Sequence, residues 1–194
     1  MLLLSSKITA LPVMSLQTGA KIAQITHTVI DPATLDIVAY RIEDKKLDSD
    51  NWLLLASDIR EVSDIGLIID SVDELVKEED MIKLKDTLAL RFNLIDMNVI
   101  DDKKTKLGRI YDFTVDPIQF RIHQLYVKRP LIKSLQTSDL IINRTQIVEV
   151  NNKNIVVNSA SLDDKVQPSV VTNSFVNPFR KSTSPAGQST MKNS

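Results

Sequence analysis

Two stretches of the chain read as copies of one another, and this internal repeat limits the fold more than any other feature. One runs from Lys21 to Ile42, the other from Lys106 to Val127, and they align without a gap at a spacing of 85 residues. Lys21, Ile25, Asp31, Pro32 and Ile37 match Lys106, Ile110, Asp116, Pro117 and Ile122 identically. Ile22, Ile30, Leu35, Tyr40 and Ile42 face Leu107, Val115, Phe120, Leu125 and Val127, apolar in every case. After a three-residue shift the correspondence resumes, with Ile59, Val62, Leu67, Ile68 and Ile69 opposite Ile147, Val150, Ile155, Val156 and Val157. Solenoid repeats have periods of roughly 20–50 residues. The longer period here implies a small domain present twice.

Each repeated stretch predicts a hairpin. Apolar and β-branched residues dominate both flanks of Asp31-Pro32 and Asp116-Pro117. Proline fixes φ for the turn, and aspartate accepts hydrogen bonds from nearby backbone N–H groups. Further short strands are expected at Trp52 to Ala56 and Asp139 to Ile142, at Ile59 to Val62 and Ile147 to Val150, and at Gly66 to Ile69 and Asn154 to Val157. Pro12 to Leu16 opens the first copy, and Leu94 to Ile100 the second. Between the copies, Ser71-Val72-Asp73-Glu74 is a capping-box pattern and leads into apolar residues at helical spacing. The expected organisation is a first β-unit at residues 1–69, a helical linker at 70–91, a second β-unit at 92–160 and a tail at 161–194. The tail is rich in Ser, Thr, Asn, Pro and Gln. It buries too little apolar surface to offset its ordering entropy, and disorder is expected.

The repeated motifs resemble PRC-barrel domains, a family named for the cytoplasmic β-domain of a photosynthetic reaction-centre subunit. A related domain ends a ribosome maturation factor. The first copy reads Gly19-Ala20-Lys21-Ile22-Ala23-Gln24-Ile25, Val29-Ile30-Asp31-Pro32 and Asp58-Ile59-Arg60-Glu61-Val62. The second reads Lys106-Leu107-Gly108-Arg109-Ile110, Thr114-Val115-Asp116-Pro117 and Gln146-Ile147-Val148-Glu149-Val150. The resemblance covers nearly all of residues 8–158. It implies a mainly β chain of two tandem small SH3-like barrels used for binding, with no shared catalytic residue set. Ala23 departs from the glycine that the second copy has at Gly108. A small residue at this place signals close backbone approach.

Composition removes several chemistries. The absence of cysteine excludes disulfides, thiolate nucleophiles and Cys-based zinc sites. His27 and His123 do not occupy equivalent positions and stand at no metal-ligand spacing with a carboxylate. Asp31 and Asp116 recur in both copies. An acid–base or metal-ligand pair is one reading; a turn residue repeated with its fold is the other, and the repetition favours it. The carboxylates of Glu78-Glu79-Asp80 fit a helix start. No phosphate-binding glycine loop is present. No catalytic, metal or cofactor set is expected, and the protein is read as a non-enzyme.

Charge is unevenly spread. Residues 1–69 carry six basic and nine acidic side chains, and residues 92–160 carry ten and seven. The second unit also holds Phe92, Tyr111, Phe113, Phe120 and Tyr126. Basic charge with aromatics suits RNA, whereas core packing and docking of oppositely charged halves account for the same residues. In the tail, Phe175, Phe179, Arg180 and Lys181 form either a short docking motif for a partner or an unselected stretch. The opening Met1-Leu2-Leu3-Leu4 run is too short for a secretory or spanning segment. The expectation is a cytoplasmic scaffold that binds a protein partner or itself; a ribosome- or RNA-associated factor is the alternative.

Overall fold

The computed structural model describes residues 2–44, 47, 51–130 and 139–158. They are mainly β, and their fourteen strands belong to one mixed sheet. A first block contains β2 (Pro12–Ser15), β3 (Ala20–Asp31), β4 (Asp36–Glu43), β5 (Trp52–Leu55), β6 (Glu61–Ser63) and β7 (Gly66–Ile69). A second contains β9 (Asn98–Asp101), β10 (Lys106–Asp116), β11 (Arg121–Lys128), β12 (Leu140–Asn143), β13 (Ile147–Val150) and β14 (Asn154–Val157). β1 (Leu3–Leu4) and β8 (Leu75–Lys77) lie outside both.

The blocks pair their strands in the same way. β2 runs antiparallel to β3 and parallel to β7; β9 runs antiparallel to β10 and parallel to β14. β4 joins β3 to β5 as β11 joins β10 to β12. Even the irregularities correspond. The pairing skips Thr26 of β3 and Tyr111 of β10, then Val38 of β4 and His123 of β11. A bulge bends its strand and re-aims side chains, and here both long hairpins bend at the same two places.

The hairpin turns meet where the blocks join. Asp36 of β4 pairs with Arg121 of β11, the one register pair between those strands. Ile37 N–H donates to Phe120 O at 2.7 Å, and Ile122 N–H donates to Leu35 O at 3.1 Å. The contact is reciprocal, as at a two-fold interface between identical surfaces. Leu35 and Phe120 share positive φ angles of 51° and 52°. Both side chains are buried, and the Tyr40 and Phe120 rings meet edge to face at 6.3 Å. One apolar core runs through both blocks, including Ile30, Leu35, Ile37, Tyr40, Val115, Phe120, Ile122 and Leu125. Cross-strand packing compensates between blocks: Thr28 opposes Tyr40 where Phe113 opposes Leu125.

The linker at 70–91 is less helical than expected. Ser71 Oγ accepts from Asp73 N–H, and the Glu74 carboxylate accepts from Asp70 N–H, one residue earlier than a capping box places it. Only one 3₁₀ turn follows. The chain then extends as β8 (Leu75–Lys77) against the outer edge of β5. An open edge beside an apolar, β-branched stretch favours pairing over helix. A short helix, α2 (Lys85–Leu90), brings Leu88 onto Val29, Ala39 and Leu53. The equivalent positions of the second block are Thr114, Gln124 and Ile141, two of them polar.

A second helix, α1 (Ser5–Thr9), was not expected from the sequence. It follows β1 (Leu3–Leu4), which pairs with Val115 and Thr114 of β10. Ile8 is fully buried in the shared core. The tail from residue 159 onward lies outside the described residues.

Candidate functional site

A groove of about 720 Å³ opens where α1, β3, α2 and β10 converge. Equivalent residues of the two blocks stand together in its walls: Thr26 with Tyr111, and His27 with Asp112. Thr26 and Tyr111 are the bulge residues of their strands. The bulges thus set which side chains the two long strands present to the groove.

Four charged groups line the groove, and three are engaged. Asp112 is buried. It accepts from Ser6 Oγ at 2.6 Å, from Ser6 N–H at 3.3 Å and from Phe113 N–H at 2.8 Å. These bonds also hold α1 in place. Arg41 grips Glu78 with both terminal guanidinium nitrogens, the Nη2–Oε1 contact being 3.2 Å. The hydrogen bond from Arg41 holds the Glu78 carboxyl below its ordinary range against the opposing effect of burial, and the nearby Arg91 charge adds to the lowering. Thr26 Oγ1 donates to Arg41 O at 3.1 Å and steadies that strand. Arg91 is the fourth group. It caps the C-terminus of α2 at a φ of 45° and is exposed.

The remaining wall mixes donors with apolar surface. Asn93 Oδ1 accepts from Ile95 N–H at 3.1 Å. His27 is exposed at the rim. Val29, Leu88, Phe92 and Ile95 supply the apolar part. Tyr111 packs edge to face on Tyr126 at 6.1 Å. Its phenol is pushed upward, first by burial and then by the Asp139 carboxylate.

The residues singled out from the sequence fall elsewhere. Asp31 Oδ1 accepts from Ala33 N–H at 2.8 Å, and Asp116 Oδ1 from Ile118 N–H at 2.8 Å and Gln119 N–H at 3.1 Å. The two backbone donors hold the Asp116 carboxyl below its ordinary range. Pro32 and Pro117 follow in the turns. None of these four lines the groove. His123 lies on β11, and its buried Nε2 has no hydrogen-bond partner. Phe113 and Phe120 are core residues, whereas Phe92 lines the groove. Phe175, Phe179, Arg180 and Lys181 lie outside the described residues. Among the described residues no three metal-ligating side chains cluster, and no helix is long and apolar enough to cross a membrane.

Sequence reasoning missed the groove because its lining comes from seven separated stretches of chain. One signal was present: positions 26 and 111, and 27 and 112, are among those at which the two long strands differ in chemistry. No protein-family model matches the chain, and no curated protein is significantly similar to it.

Proposed function

We propose that the chain is a non-catalytic, cytoplasmic scaffold built from two PRC-like barrel units, residues 1–69 and 92–160, that presents the groove between them to a protein partner. The observation that carries this reading is the joint conservation of pairing and divergence of groove residues between the blocks. Strand order, bulges and turn hydrogen bonds correspond, while His27 and Asp112 differ at equivalent positions. That is the pattern of a duplicated framework whose shared surface has specialised. The recurrent carboxylates support it, because Asp31 and Asp116 hold turns together rather than facing a cleft.

The test is affinity capture followed by mass spectrometry, with the full chain, a chain ending at residue 160, and the groove-filling variant Thr26→Trp. The reading expects partners that depend on the open groove. A partner set identical for the full chain and Thr26→Trp would overturn it. Partners lost only on truncation would move the binding site to Phe175–Lys181.

An RNA- or ribosome-associated role is the lesser reading. Formal charge in residues 92–160 favours it, but burial of Phe113 and Phe120 withdraws two of the five aromatics from stacking. It predicts salt-sensitive RNA binding that maps to that region.

A further inference from the structure

The groove holds one exposed charge that makes no ion pair among the described residues, Arg91. Asp112 is taken up by Ser6 and Phe113, and Arg41 and Glu78 hold each other. Arg91 adds a second guanidinium beside the single Glu78 carboxylate and makes no ion pair among the described residues. The two arginines and two carboxylates of the wall balance formally, but Asp112 is buried and held by three neutral donors, so Arg91 is the charge left open to a ligand. The nearby neutral groups add donors. Asn93 has its oxygen occupied by Ile95 N–H, which leaves its amide nitrogen to donate. His27 offers an exposed imidazole.

Backbone conformation marks the same residue independently. Arg91 sits in the left-handed region at the end of α2. Glycine or asparagine is the usual occupant of such a cap, because a Cβ meets the neighbouring carbonyl there. The helix dipole favours a cation at this end, but the left-handed backbone disfavours a residue with a Cβ. Strained positions of this kind cluster at ligand-binding sites. Beside it, Leu88, Val29, Phe92 and Ile95 form an apolar wall. The volume falls within the range of roughly 300–1,000 Å³ typical of small-molecule sites.

We infer that the groove is a binding site for a small organic anion, a carboxylate or phosphate on an apolar body, with Arg91 as its counter-charge and Asn93 and His27 as donors. The site goes beyond the partner-binding reading and does not depend on it. Carboxylates and phosphates present the same anionic oxygens to a guanidinium, and Arg binds both through paired N–H groups. The apolar wall selects an aromatic or aliphatic body over a bare inorganic ion.

The test is an NMR titration of the full chain with phenyl phosphate, phenylacetate and uncharged benzyl alcohol, read at the amides of residues 87–95. The expected result is saturable shifts with one or both anions and none with benzyl alcohol. The stronger anion identifies the ligand class. Arg91→Gly is expected to weaken anion binding by about tenfold or more, the scale of a lost charge-assisted contact. It leaves the melting temperature unchanged or raised, because glycine accepts the left-handed φ. Arg91→Lys retains part of the affinity. Equal binding of benzyl alcohol, undiminished binding by Arg91→Gly, or no shifts with either anion would each overturn the site. Any of these leaves the partner-binding reading intact, since that reading is tested by capture with Thr26→Trp.

Discussion

Asp36 and Arg121 occupy equivalent positions in the two blocks and are ion-paired with each other, Arg121 Nε to Asp36 Oδ1 at 2.8 Å. At a true two-fold interface the same residue would meet itself. Two first blocks would set Asp36 against Asp36, and two second blocks Arg121 against Arg121. Arg144 extends the asymmetry: it approaches Asp36 at 3.6 Å and donates to Thr34 O and Leu35 O. Its first-block counterpart is Ala56, which carries no charge toward Arg121. The junction thus favours unlike blocks over like ones. Asp36→Arg is predicted to lower the melting temperature by about 2–4 °C, the scale of a modest stability loss in a chain of this size. The exchange D36R/R121D is predicted to recover much of it, since distant background effects cancel in such a cycle. Thermal unfolding of the three variants decides the matter, and a double variant no more stable than Asp36→Arg sinks the idea.

The same pair makes stability depend on acid. The hydrogen bond and charge of Arg121 hold the Asp36 carboxyl below its ordinary 3.8, and Arg41 holds Glu78 below its ordinary 4.5. A carboxyl whose pKa is depressed in the folded state stabilises fully above its unfolded pKa, and that contribution disappears as pH falls through the folded value. The melting temperature is therefore predicted to be level with respect to these groups near neutrality and to fall below about pH 4.5. Arg41→Met and Arg121→Met each flatten that decline. An unchanged acid limb in both variants argues against the assignment.

Gly108 gives the sharpest packing test. A Cβ placed there meets Lys128 O at 2.2 Å and Val127 Cγ1 at 2.8 Å. The nearer atom belongs to the backbone, so relief requires β10 and β11 to separate. Gly108→Ala is predicted to cost about 1–3 kcal/mol, in line with other overpacked interiors. The first block tolerates a methyl group at Ala23, fully buried at the equivalent place. Urea unfolding of Gly108→Ala gives the number, and a neutral result means the strands part without cost.

Phe113 separates the core and RNA accounts of the second-block aromatics. It is buried in the shared core. Phe113→Ala is predicted to cost about 3–5 kcal/mol, the range for removing a large core aromatic. Calorimetry measures that loss. A stable Phe113→Ala variant with weakened RNA affinity reverses the conclusion.

Much of the β framework was legible because it rests on local signals. Apolar alternation located the long hairpins, and Asp-Pro located their turns. Gly66 to Ile69 and Asn154 to Val157 were read with their observed bounds. The opening of the second block was misjudged, since Leu94 belongs to the core but precedes the strand that begins at Asn98. The linker was harder. Leu75 and Val76 satisfy helical spacing equally well, and only the edge of β5 decides against it. The groove was not legible, because Arg41, Glu78 and Arg91 become neighbours through pairing and packing across three elements. The bulges at Thr26 and Tyr111 have no one-residue signature in the sequence. The junction lay between these extremes: Asp36 and Arg121 align in the repeat, but only the reciprocal turn contacts reveal that they touch.

The anchoring of α1 bears on how the chain reaches its native state. Ser6 is bonded to Asp112, 106 positions away, and β1 pairs still farther along, at Val115 and Thr114. Loop closure of that span carries an entropic cost, and contacts so remote in sequence slow the search for the native state. On the ribosome, residues 3–9 emerge before the strand that receives them exists. The seat of Ile8 stays vacant until the hairpin of β10 and β11 has formed. Synthesised early, this segment settles late.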